Sequence, residues 1–254
     1  MAVVCRAVAG LRSSPSNHSD LLTQEIFGRS LQVESVSDDW AQCTLADGYR
    51  GWLPLKSISA DRPCVPTHIA VKRFTRISSS GHTDFLVPMG SLVRAVQRSG
   101  SDYLLDLPDG KRGRVSRDDV SGITTLPWSA GRFRSLIREV TGTPYLWGGK
   151  STFGFDCSGL VQFAFGFFGI DLPRDSGDQA KAGTAIKDLD GLGKYDLVFF
   201  GDKGRIDHVA VHLGRLKILH ASGCVRAESL KRGSRLFRSD LLATLRCMRR
   251  VWHV

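Results

Sequence analysis

The stretch FDCSGLVQFAFGFFG, residues 155–169, holds one aspartate, one cysteine and one serine ahead of an almost wholly apolar run. A cysteine at the first position of a helix is placed for nucleophilic chemistry, because the helix N-terminus presents backbone N–H groups and the positive end of the macrodipole to an anion. On that reasoning the Cys157 thiolate is favoured, and a lowered pKa is what makes a cysteine attack. The base must come from elsewhere in the chain. Of seven histidines, His208 and His220 fall inside the apolar strand-like segments DHVAVHLG and KILHASG. Two antiparallel strands joined by a turn at Gly214 and Arg215 would set these imidazoles side by side on one face. Cys157, His208 and His220 then read as a nucleophile, a base, and a group that fixes the tautomer of the base. A zinc site of Cys157, His208, His212 and His220 is the rival reading, since His212 alternates onto the face of His208. The helix start accounts for Cys157 without a metal, so no metal and no cofactor are expected.

These residues need a rigid frame. The helix from Cys157, apolar all round, is expected to be buried and central, with Asp156 as its N-cap and Gly154 at the turn before it. Phe133, Leu136, Ile137 and Val140 fall at i, i+3, i+4 and i+7 and predict a helix over 130–141, capped by Ser129. After a loop TPYLWGG, the second helix and a Pro- and charge-rich loop come strands YDLVFF, HVAVHLG and LKILHAS. Helices followed by an antiparallel sheet make an α+β layout.

The N-terminal half repeats itself. LADGYRGWLPLKSI (45–58) is echoed by LPDGKRGRVSRDDV (107–120), 62 residues on. Each copy runs from a glycine start (Gly28, Gly90) through an alternating stretch, an aromatic stretch, an Asp-Gly turn and an Arg-Gly dipeptide. Short strands with such turns predict small antiparallel β-barrels. Tyr49 in the first copy is replaced by Lys111 in the second. With a linker at ITTLPW (123–128), three domains are expected, at 1–62, 63–126 and 127–254.

Composition narrows the function. With 42% apolar and 24% charged residues among 254, the chain is ordinary globular material. No apolar run reaches the 18 or more residues of a membrane span, so no membrane partner is expected. The net charge of +10 comes from scattered Lys and Arg, with a mild cluster at 226–250 and no nucleic-acid motif; a solvated basic face or an acidic substrate is the expectation, not nucleic acid. Arg6 interrupts an already short apolar start, which reads as a first strand and places the protein in the cytoplasm. Six cysteines (5, 43, 64, 157, 224 and 247) show no paired spacing, and most are expected to be buried thiols.

Residues 1–60, and less closely 65–125, resemble the bacterial SH3-like domains that accompany cell-wall hydrolases. PYLWGGKSTFGFDCSGLVQFAF, LPRDSGDQA, YDLVFFGD, DHVAVHLG and LHASG follow in that order. This series, over 128–254, resembles the NlpC family of papain-like cysteine peptidases, which cleave peptidoglycan stem peptides. The resemblance implies a papain-like domain behind two SH3-like β-barrels, with Cys157 as nucleophile, His208 as general base, His220 as orienting member and Tyr145 near the oxyanion or substrate.

The whole chain is further similar to γ-D-glutamyl-L-diamino acid endopeptidases, which act on stem peptides with a free N-terminal L-alanine. That similarity implies a peptide partner, L-Ala-γ-D-Glu-diamino acid, and a monomer without cofactor. It also implies a pocket for the free amine, whose matching positions are Asp156, Ser158, Asp175, Ser176, Tyr49 and, through the TQEIFG match, Glu25. The plainer reading makes Asp156 an N-cap and Asp175 a loop residue, and for Asp156 both roles can hold at once. His212 departs from the family strand, which more usually carries a tyrosine or another bulky residue there. The competing readings are a binding protein that has lost its chemistry, a general secreted peptidoglycan hydrolase, and an acyltransferase or amidase on a related fold.

Overall fold

The computed structural model of the chain describes residues 1–60, 65–79, 83–125 and 127–252. Cys64 and the domain borders expected at 62/63 and 126 lie outside the described residues. By packing, the chain forms two units. Met1–Glu139 with Lys150–Phe153 make the first, and Val140–Gly149 with Gly154–Val254 the second.

The first unit holds two seven-stranded antiparallel sheets. The first comprises β1 (Ala2–Val4), β2 (Val8–Arg12), β3 (Leu21–Ile26), β4 (Ser30–Ser37), β5 (Trp40–Thr44), β6 (Arg50–Pro54) and β7 (Ile58–Ser59), in the order β3-β2-β6-β5-β4-β1-β7. The second comprises β8 (His68–Ala70), β9 (Phe74–Ser79), β10 (Phe85–Pro88), β11 (Leu92–Ser99), β12 (Asp102–Asp106), β13 (Arg112–Ser116) and β14 (Val120–Gly122), in the matching order β10-β9-β13-β12-β11-β8-β14. Among the described residues neither ladder closes on itself, and each wraps its own apolar core: Val4, Leu11, Ala41 and Leu53 in the first, Ile77, Val87, Leu105 and Val115 in the second.

The 62-residue spacing persists into fine detail. It relates the bulge between Val33 and Ser35 to that between Ala95 and Gln97. It also relates the two Asp-Gly turns, in which Asp47 Oδ1 accepts the Tyr49 N–H at 3.1 Å and Asp109 Oδ1 the Lys111 N–H at 3.3 Å. Gly48 and Gly110 supply the positive φ, +82° and +80°, that these turns require. Strands before the first hairpin of each copy stand 66 residues apart instead, because the second copy's hairpin is four residues shorter.

Phe27, beside the glycine that starts the first repeat, belongs to the second core, with its ring centroid 5.7 Å from that of Phe85. There the Leu92 N–H donates to the Phe27 carbonyl at 2.9 Å. A Cβ on Gly28 would lie 1.9 Å from the Leu92 carbonyl oxygen, so the approach requires glycine.

The helix α1 (Ala130–Val140) starts on Ser129, whose Oγ accepts the Arg132 N–H at 3.2 Å. Phe133, Leu136 and Val140 are buried and Ile137 is half-buried, as the periodicity predicts. Although the change of pattern at Ser129 suggested a new domain, α1 packs with the first unit as far as Glu139, whose carboxylate accepts the Arg73 N–H at 3.0 Å.

Two short strands, β15 (Lys150–Ser151) and β16 (Gly154–Phe155), precede the helix α2 (Cys157–Gly166). The second unit then adds α3 (Ser176–Gln179), β17 (Thr184–Ile186), β18 (Leu197–Asp202), β19 (Arg205–Gly214), β20 (Lys217–Ser222), β21 (Cys224–Ser229), α4 (Ser239–Ala243) and β22 (Leu245–Arg250). Its antiparallel sheet has the order β17-β22-β18-β19-β20-β21, and α2 packs on β19 and β20. Every residue of α2 except Gly166 is buried, and each large side chain so buried contributes roughly 1.5–3 kcal/mol. The helix is fixed from all sides, the α+β arrangement its composition demanded.

All five described cysteines are free thiols. Only Cys43 and Cys157 are buried; Cys5 and Cys224 sit at strand ends beside turns and, with Cys247, are half-buried, which corrects the expectation that most would be buried. Among the described residues no helix is long and apolar enough to cross a membrane.

Candidate active site

Cys157 is the first residue of α2. Asp156 is extended (φ −88°, ψ 178°), and its Oδ1 accepts the Gly159 N–H at 2.6 Å, an N-cap in the ordinary sense. The Cys157 Sγ lies 3.9 Å from the Asp207 carbonyl oxygen, and the backbone N–H groups of Val209 and Ser158 point toward it. Asp207 and Val209 flank His208, so the sulfur rests against the backbone on both sides of the expected base.

The register of β19 and β20 pairs Val211 with Leu219, which puts His220 opposite Ala210 on the face of His208. The imidazoles meet there, His208 Nε2 to His220 Nδ1 at 2.8 Å. A further member, not read from the sequence, continues the chain: His220 Nε2 lies 2.8 Å from Glu228 Oε2. Glu228 stands on β21, two residues beyond Arg226, the cross-strand partner of His220. The β20–β21 pairing is centred on Gly223, whose φ of +71° makes the turn, and it sets Glu228 two positions past the partner of His220.

Electrostatics corrects one expectation. Burial, reinforced by the Asp156 charge, pushes the Cys157 thiol up to about 11, against the lowering by nearby backbone N–H groups and Arg174. Burial and the neighbouring His220 push His208 down to about 4. Both shifts favour the neutral pair, thiol and imidazole, over the thiolate that the helix N-terminus alone favours. His208 serves such a pair by taking the thiol proton as attack begins.

Asp156 and Ser158 are occupied by the protein itself. Both Asp156 and Arg174 are buried, and the guanidinium clasps the carboxylate with two N–H groups, Nη1 to Oδ1 at 3.0 Å and Nη2 to Oδ2. Gly148 N–H donates to Oδ2 at 2.9 Å, and Ser158 Oγ lies 3.3 Å from Oδ1 while accepting from Arg174 Nη1 at 2.9 Å. With the Gly159 cap, every acceptor direction of Asp156 is used. These bonds set the entry to α2, and they involve both Asp156 and Ser158, two of the positions matched to an incoming amine. Arg174 lies in the LPRDS segment immediately before Asp175, and the sequence gives no local pattern for it because its partner Asp156 is eighteen residues away.

Tyr145 is exposed, and burial, followed by the charges of Cys157 and Asp156, raises its phenol. Asp175 is exposed at the start of α3, where its side chain makes no cap bond, and Ser176 beside it is half-buried. His212 is buried, with Nδ1 2.6 Å from the Gly193 carbonyl and Nε2 accepting the Leu216 N–H at 3.1 Å. Both its nitrogens are used, which removes it from the zinc alternative and gives it a structural place in the turn after β19. Among the described residues no three His, Cys, Asp or Glu side chains group as a metal site requires.

Two candidates belong to the first unit. Tyr49 packs half-buried on the first core. Glu25 is buried, and its carboxylate meets the Lys150 ammonium at 3.4 Å, with Asp47 3.6 Å from the same ammonium. Glu25 is thus ion-paired with Lys150 inside the first unit.

The pattern of the NlpC/P60 family matches residues 142–239, and that of the bacterial dipeptidyl-peptidase Sh3 domain matches residues 11–58. The chain is 39% identical to the bifunctional muramidase/DL-endopeptidase CwlT of Bacillus subtilis, over 84% of this chain and 71% of that protein. The chain belongs to the NlpC/P60 family. As an NlpC/P60 protein it is a cysteine peptidase. It is also 28% identical to a γ-D-glutamyl-L-lysine dipeptidyl-peptidase of Bacillus cereus, over 84% of this chain and 70% of that protein. The crystal structure of an NlpC/P60 family protein from Bacillus cereus superposes with a TM-score of 0.87 at 24% identity, over 98% of this chain and 99% of the other, a likeness of fold.

Proposed function

We propose that this NlpC/P60 protein hydrolyses peptidoglycan-derived peptides at the bond between γ-D-glutamate and the following diamino acid, with Cys157 as nucleophile. The observation that carries the reading is the placement of the Cys157 sulfur against the backbone on both sides of His208, whose Nε2 is held by His220. The names of the relatives, a γ-D-glutamyl-L-lysine dipeptidyl-peptidase and a DL-endopeptidase, support the bond cleaved.

In this mechanism His208 takes the thiol proton as Cys157 Sγ attacks the γ-carbonyl carbon. Backbone N–H groups at the start of α2 stabilise the oxyanion. The tetrahedral intermediate collapses as His208 passes the proton to the leaving amine of the diamino acid. Water then hydrolyses the thioester and regenerates the thiol.

The substrate in this reading is the free peptide L-Ala-γ-D-Glu-diamino acid, recognised by its N-terminal ammonium. Of the three carboxylates expected to meet that ammonium, Asp156 and Glu25 are buried against Arg174 and Lys150, and Asp175 is exposed. Asp156, Ser158, Asp175 and Ser176 are the groups of the second unit assigned to the amine. A charge-assisted contact of this kind rejects a peptide that lacks the charge.

The test is cleavage of L-Ala-γ-D-Glu-meso-diaminopimelate beside its N-acetylated form. Release of L-Ala-D-Glu from the free peptide alone supports the amine requirement. Equal cleavage of both removes it and favours a general peptidoglycan endopeptidase.

A further inference from the structure

We infer that Glu228 is a positioning residue that sets the tautomers of both catalytic imidazoles in series, and that Arg238 holds it in place. The inference rests on the assignment of His208 as the base for Cys157. The argument follows the protons. Glu228 Oε2 accepts the Arg238 Nη1–H, which can only donate, and lies 2.8 Å from His220 Nε2. Oε1 lies 3.2 Å from Arg226 Nε. A carboxylate among these groups is an acceptor, so His220 carries its proton on Nε2. A neutral imidazole with Nε2–H offers a lone pair at Nδ1, and that atom faces His208 Nε2 at 2.8 Å. His208 must then carry its own proton on Nε2. What remains as the basic atom of His208 is Nδ1, the nitrogen that takes the proton from Cys157.

The surroundings keep Glu228 in that role. Desolvation works to raise its carboxyl, but the hydrogen bonds from His220 and Arg238 prevail and hold it below the usual carboxylate range. Arg238 is itself tethered, with Nε and Nη2 on the two oxygens of Asp240. The charged and titratable groups facing Glu228 are thus His220 from β20, Arg226 from β21 and Arg238 ahead of α4. When Cys157 gives its proton to His208, the resulting imidazolium is stabilised through neutral His220 by the Glu228 charge. No second proton need move.

Two substitutions separate the parts of this role. In Glu228→Gln the amide oxygen takes the Oε2 position, because two donors converge there, so the tautomers persist and only the charge is lost. In the nearly isosteric Glu228→Leu the acceptor is lost as well. The experiment is steady-state cleavage of L-Ala-γ-D-Glu-meso-diaminopimelate by these variants, Cys157→Ala and His208→Ala, with long-range ¹H–¹⁵N spectra of the imidazoles and thermal melts. The expected result is a fall in kcat of about tenfold for Glu228→Gln and about a hundredfold or more for Glu228→Leu, with little change in KM. The spectra should report Nε2–H for His208 and His220 in the parent and in Glu228→Gln, and lose it in Glu228→Leu.

Parent-like kcat and parent-like tautomers in Glu228→Leu, with Cys157→Ala and His208→Ala inactive, overturn the inference and leave the proposed mechanism standing. Activity retained in Cys157→Ala or His208→Ala removes that mechanism instead. If Glu228→Leu fails to fold, Glu228→Gln decides: a parent-like kcat in a folded protein overturns the inference.

Discussion

His208 Nε2 lies 2.8 Å from His220 Nδ1, a hydrogen bond between two imidazoles in which one ring must donate and the other accept. The pair forms because β19 and β20 bring residues 208 and 220 onto one face, diagonal to each other across the ladder. Removing His220 leaves the His208 ring free to turn and to exchange tautomers. We expect His220→Ala to lower kcat by about a hundredfold or more while leaving KM within a few-fold, measured on the L-Ala-γ-D-Glu-diamino acid peptide. A parent-like kcat would remove His220 from the catalytic set.

The pH profile carries the sign of burial. His208 is pushed down to about 4 by desolvation and by His220. It acts only when unprotonated, so activity is present above its folded pKa and lost as pH falls through it. The acid limb of kcat/KM is therefore expected near pH 4, not near the ordinary histidine value of about 6.5. The same shift acts on stability. Unfolded histidine takes up a proton below about 6.5 that the folded site refuses, so this contribution is complete above that pH and is lost as pH falls toward 4. An acid limb near 6.5 would show that His208 is solvated.

Asp156 and Arg174 form a buried ion pair beside the nucleophile, and breaking it leaves one charge uncompensated. Arg174→Met should cost about 3–5 kcal/mol of unfolding free energy in a urea titration. The double variant Asp156→Asn, Arg174→Met should be less destabilised than the sum of the two single changes. Full additivity would mean that the clasp has no energetic content.

Gly28 meets the Leu92 carbonyl where the two sheets of the first unit approach, and its φ is +81°. Gly28→Ala must displace that contact and strain the backbone, at a cost of about 2 kcal/mol or more. The corresponding change at Gly48, where a Cβ meets nothing within 4 Å, should cost about 1 kcal/mol. Equal thermal shifts for the two would contradict the close approach.

How much of this was legible in the sequence depended on range. The Asp-Gly turns and the alternating strands belong to a repeat of 62 residues, so each copy supports the reading of the other. Asp156 as N-cap of α2 and the i, i+3, i+4, i+7 stripe of α1 are local patterns and could be read directly. Long-range partners could not. The ring of Phe27 joins the core of the other repeat, Arg174 reaches back to Asp156, and Lys150 neutralises Glu25; none of these pairings leaves a periodic trace. Glu228 is of the same kind: its role appears only once the β20–β21 register brings it to the nitrogen of His220. The burial that raises the Cys157 thiol is likewise long-range, whereas the helix start that lowers it is local information.

The measurement that tests the account most directly is incubation of L-Ala-γ-D-Glu-meso-diaminopimelate with the parent protein and with Cys157→Ala, followed by mass analysis of the peptides and of the intact protein. The account predicts L-Ala-D-Glu and free diamino acid from the parent, and neither from a Cys157→Ala protein that melts as the parent does. Turnover by Cys157→Ala, or an intact tripeptide after incubation with folded parent protein, would contradict it.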